Sequence, residues 1–60
     1  MTREEVHYTL DAVYQTLLRL NDPATLEQLS TTTVHAIGEA TGIVSKARAL
    51  VGRDIDNDAG

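Results

Sequence analysis

Between Pro23 and Arg53 the apolar and small residues fall at Leu26, Leu29, Thr33, Ala36, Ala40, Ile43, Ala47 and Leu50, in alternating steps of three and four. That rhythm belongs to a helix packed lengthwise on another helix. Ile37, Val44 and Val51 lie seven apart beside the seam and widen its apolar face. A stripe of this length has no partner of equal length elsewhere in the chain. It predicts an all-α fold, with a long helix that looks for cover.

The first arm is shorter. Thr2 and Glu5 have the spacing of a capping box, in which each side chain satisfies the other's free backbone N–H. Val6, Leu10, Val13, Leu17 and Leu20 then step by four and three, so a helix is expected over 3–20. Asn21-Asp22-Pro23 ends it. Asp22 can cap the next helix, and Pro23 at its first position forfeits no hydrogen bond. So short a connection makes the two arms antiparallel neighbours.

The second arm is expected over 23–53, continuous or kinked, with two weak places. Ser30-Thr31-Thr32-Thr33 has low helix propensity, and Gly38 and Gly42 each cost about 1 kcal/mol relative to alanine inside a helix. A break at Gly42, with Ser45 capping a further helix, would give a compact three-helix domain instead. If the arms turn at Asp22, Leu10 lies near Val34 and Arg3 near Thr41. Residues 43–53 would then overhang the first arm by about 15 Å at 1.5 Å per residue. That overhang predicts a homodimer or higher oligomer. Its expected interface comprises Leu10, Val13, Leu17, Ile37, Ala40, Ile43, Val44, Ala47, Leu50 and Val51. Residues 1–53 form the single domain in this reading, and 54–60 an acidic, frayed tail.

Charge placement supports the same expectation. No formal charge lies between Glu27 and Glu39, and only Asp11 between Glu5 and Arg19. Surface helices ordinarily carry ions on their outer face. Sixty residues without a cysteine have neither disulfide nor thiolate-zinc staples, so little of the aliphatic surface can remain wet. The net charge of −4 argues against a broad nucleic-acid surface. No apolar run reaches the length of a membrane span, and the start Met-Thr-Arg-Glu-Glu lacks the pattern of a signal peptide. A cytoplasmic protein is the expectation.

Candidate chemistry is sparse. Asp54, Asp56 and Asp58 have the alternate spacing that opens a calcium loop, but Ala59 stands where such a loop needs glycine. His7 has Glu4 and Asp11 at helical spacing, and His35 has Glu39, short of the three or four ligands of a zinc site. Gly38 and Gly42 make a GxxxG spacing without the lysine and hydroxyl of a phosphate loop. No nucleophile has a base and an orienter in view, so neither an enzyme nor a cofactor is expected.

The segment from Ile37 to Val51 resembles the helix-turn-helix pattern. Gly38 supplies the small residue, Gly42 the turn glycine and Ile43 the apolar residue after it. Ser45 would open a recognition helix bearing Lys46 and Arg48. The resemblance implies DNA binding through Ser45, Lys46 and Arg48, although the usual register wants an apolar residue at Arg48. The leading expectation remains a small regulatory or adaptor protein acting through helix–helix contacts, with itself first and another protein as a further partner.

Overall fold

A computed structural model describes residues 1–59 of the chain; the side chains of Asp58 and Ala59, and Gly60, lie outside the described residues. Among the described residues the fold is all-α, with α1 over Arg3–Leu20, α2 over Pro23–Leu26 and α3 over Thr31–Ala59. The two long helices form an antiparallel hairpin, and α2 is a single turn within the connection.

The helix ends obey the capping chemistry legible in the sequence. Thr2 Oγ1 accepts from Glu5 N–H at 3.1 Å, and Thr2 N–H donates to Glu5 Oε1 at 3.1 Å. Asn21 closes α1, its Nδ2 donating to the Leu17 carbonyl at 3.1 Å. Asp22 caps α2 by accepting from Thr25 N–H at 3.2 Å, with Pro23 in the first turn.

The second arm, expected to be continuous or kinked over 23–53, is broken, and at the hydroxyl run instead of Gly42. Neither glycine interrupts it. The break lies at 27–30, where Gln28 N–H and Leu29 N–H bond three residues back rather than four and Ser30 begins a new helix. Ser30 Oγ accepts from Thr33 N–H at 3.2 Å, and its carbonyl accepts from Val34 N–H at 3.0 Å. The hydroxyl run that weakens a helix interior is here a helix start, the position at which serine and threonine are favoured.

That displaced break resets the register. Arg48 lies against Asp11, and Gly52 lies beside the His7 ring, where an added Cβ would sit 3.7 Å from Nε2. Leu10, expected level with Val34, therefore lies near the level of Ala49, about four helical turns further along α3. The overhang expected at 43–53 is absent, because those residues run alongside α1. It is the first turns of α3, up to about Gly38, that reach past Leu20. Residues 54–59, expected to fray, continue α3, with Ile55 half-buried on the line of Val51. Gly52 could have stopped the helix in a left-handed cap, but no described glycine has positive φ.

Gly38 and Gly42 sit inside α3 with open space where a Cβ would be. Each therefore carries the backbone-entropy cost of glycine without a packing return. Gly38→Ala and Gly42→Ala should each stabilise the fold by about 1 kcal/mol, read as a higher urea midpoint. An unchanged or lower midpoint would show that something packs closely there.

The hairpin is one layer thick. Its Cα extents are 46 × 16 × 15 Å and its radius of gyration is 14.1 Å, against about 10 Å for a globular chain of this length. No described residue is buried. Two helices cannot enclose a core, and here they do not.

Candidate interaction surface

The line that joins the helices is not the seam that dominates the sequence. On α1 it runs through His7, Leu10, Asp11, Tyr14 and Leu17, all half-buried. On α3 it runs through Ile37, Thr41, Val44, Arg48, Val51 and Ile55, also half-buried. The stripe of Ala36, Ile43 and Leu50 is left open, with Ile43 67% and Leu50 45% exposed. On α1, Val13 and Leu20 are likewise open at 41% and 40%.

Both open stripes share one side of the hairpin. A helix turns by about 100° per residue, clockwise when viewed from its N-terminus. Val13 and Leu20 stand roughly a quarter turn back from the Leu10–Tyr14 line. Ala36, Ala40, Ala47, Ile43 and Leu50 stand about as far back from the Ile37–Val44 line. Because the helices are antiparallel, equal rotations bring both stripes to the same side. The result is a face built from two helices, apolar along its middle, with Glu39 and Lys46 on the outer edge of α3 and Asp54 at its end. The opposite side carries Gln15, Gly38, Gly42 and Ala49.

The ten residues expected at an oligomer interface thus divide. Leu10, Leu17, Ile37, Val44 and Val51 lie on or beside the line between α1 and α3 of one chain. Val13, Ile43 and Leu50 lie on the open face, with Ala40 and Ala47 half-buried along its inner edge.

Arg48 is the feature missed in the sequence. Its Nη1 donates to Asp11 Oδ1 at 2.6 Å, and its guanidinium carbon lies 4.2 Å from the centre of the Tyr14 ring. The side chains of Arg48 and Asp11 remain 28% and 48% exposed, so solvent screens the pair. About 1 kcal/mol is the scale for the ion pair, with a similar amount from the ring contact. The signal was present: Arg48 occupies the helical step between Val44 and Val51, where spacing turns it toward α1.

That placement bears on the DNA-binding residues. α3 runs without a turn through 37–51, so the segment is not a helix-turn-helix. Ser45 is half-buried beside the hairpin seam, Arg48 is held by Asp11 and Tyr14, and Lys46 alone of the three is exposed.

Other candidate chemistry is similarly dispersed. Among the described residues no three His, Asp or Glu side chains are placed to hold one metal ion. Asp54 and Asp56 lie on a helix instead of a loop, and the Asp58 side chain lies outside the described residues. His35 Nδ1 is 3.5 Å from Glu39 Oε1, with both side chains about 70% exposed. These two line a shallow concavity with Thr31, Thr32 and Ala36. No described helix is long and apolar enough to cross a membrane.

No protein family, curated protein or solved structure matches the chain.

Proposed function

We propose that this chain is a small, non-enzymatic regulatory or adaptor protein of the cytoplasm that works as a homo-oligomer through helix–helix contacts. The observation that carries the reading is the open two-helix face on a hairpin in which no described residue is buried. Apolar side chains drive folding by leaving water, and a single copy leaves Ile43 67% exposed and Leu50, Val13 and Leu20 between 40% and 45%. The exposed area of 4552 Å² is roughly 700 Å² above that of a monomeric protein of 6.5 kDa. That surplus is close to the roughly 800 Å² each partner contributes to a standard interface.

Light scattering on a sizing column tests the reading, with a mass at least double 6.5 kDa expected. Titration with duplex DNA at two salt concentrations should show no steep salt slope, since a slope reports phosphate contacts. A helical 6.5 kDa species that binds DNA with a steep slope would overturn it.

A further inference from the structure

We infer that a second copy of this chain covers the open face, with the two hairpins antiparallel about a two-fold axis at the level of Ile43 and Thr16. The inference rests on the homo-oligomeric reading above and adds the face, the occupant and the arrangement.

In a two-fold contact, residue i of one copy meets j of the other while j meets i, so each seam must be centred on the axis. The α3 stripe from Ala36 to Leu50 is centred on Ile43, and the exposed pair Val13 and Leu20 on α1 is centred between Thr16 and Leu17, with half-buried Val6 outside it. The pairing of Asp11 with Arg48 and His7 with Gly52 puts Thr16 level with Ile43. Both seams therefore share one centre, and a single axis across the helices superposes each on itself.

Size and charge complement each other in the same arrangement. Along α3, Leu50 of one copy comes opposite Ala36 of the other, Ala40 opposite Ala47, and Ile43 opposite its counterpart. A large side chain meets a small one, as interdigitating helices require. Val13 of one α1 comes level with Leu20 of the other. On the outer edge of α3, Glu39 of one copy falls beside Lys46 of the other, and symmetry supplies the pair twice. Asp54, the charge that closes the stripe, arrives at the start of the other copy's α3, where the helix dipole favours a carboxylate. The parallel alternative would gather Glu4, Glu5, Asp54 and Asp56 of both copies at one end. For chains of net charge −4 that arrangement is repulsive.

The absence of native cysteine makes crosslinking a clean test. Under mild oxidation Ile43→Cys alone should give a covalent dimer, because the two thiols face each other across the axis. Leu50→Cys alone should not, since the two positions lie about 20 Å apart along α3. Leu50→Cys mixed with Ala36→Cys should crosslink. Glu39→Lys and Lys46→Glu should each weaken association severalfold, and the double swap should recover it. A dimer by light scattering in which Ile43→Cys stays uncrosslinked, while Ile43→Cys mixed with Thr16→Cys crosslinks, would overturn the antiparallel arrangement alone. A chain that stays at 6.5 kDa would instead sink the homo-oligomeric reading itself.

Discussion

Ile43→Asp is expected to leave unfolded single chains at concentrations where the parent protein is assembled and helical. Ile43 is the most exposed aliphatic side chain on the open face, at 67%, and a lone hairpin would scarcely register its loss. Between two copies the account changes. About 2 kcal/mol of apolar burial disappears from each copy, and each copy places a carboxylate in an apolar contact, which costs several kcal/mol when unpaired. The two carboxylates also face each other across the axis. A loss on the order of 5 kcal/mol per dimer exceeds a thousandfold in association. Because a single copy fully buries none of its described residues, the lost association should take the helix signal with it. Ala49→Asp serves as the control, placing the same charge on the exposed opposite side of α3. Circular dichroism and light scattering on both variants read the outcome. Equal helicity and mass for Ile43→Asp and Ala49→Asp would remove the open face from any role in assembly.

Local chemistry made much of the fold legible in the sequence. Thr2 and Glu5 announce the start of α1, Asn21 its end, and Asp22 with Pro23 the turn, because each meets a backbone demand that is settled within four residues. Periodicity likewise gave two long antiparallel helices. The register was not legible. It depends on whether Ser30 through Thr33 interrupt a helix or begin one, and the same hydroxyls serve either end. Reading them as an interior made 23–53 one continuous or kinked arm, carried α1 about four turns too far toward the start of α3, and created an overhang at 43–53 that the protein lacks.

The open face emerged from the sequence for a partly mistaken reason. Residues 43–53 were expected to need cover because they outran α1; instead they run alongside it, and two helices leave one side of each apolar stripe in water. Leu26 and Leu29 seemed to extend the Ile43–Leu50 seam, yet they belong to α2 and the turn after it. The line that holds the hairpin together, from Ile37 through Val44 to Val51, looked secondary because Thr41 and Arg48 interrupt it. Spacing carried the information that composition hid. With Arg48 allowed on the seam, Asp11 and Tyr14 become its natural partners, since both occupy the facing line of α1.

Dilution tests the central claim, that the hairpin is folded by its second copy, most directly. Thermal unfolding followed by circular dichroism across a concentration series needs no substitution and no probe. When folding and pairing are one transition, each tenfold dilution removes about 1.4 kcal/mol per dimer. For two sixty-residue chains that lowers the midpoint by roughly 5 °C, from the usual unfolding entropy per residue. The expected result is a midpoint that falls steadily on dilution, in step with a mass that drops from at least twice 6.5 kDa. A fully helical 6.5 kDa species whose midpoint ignores concentration would contradict it.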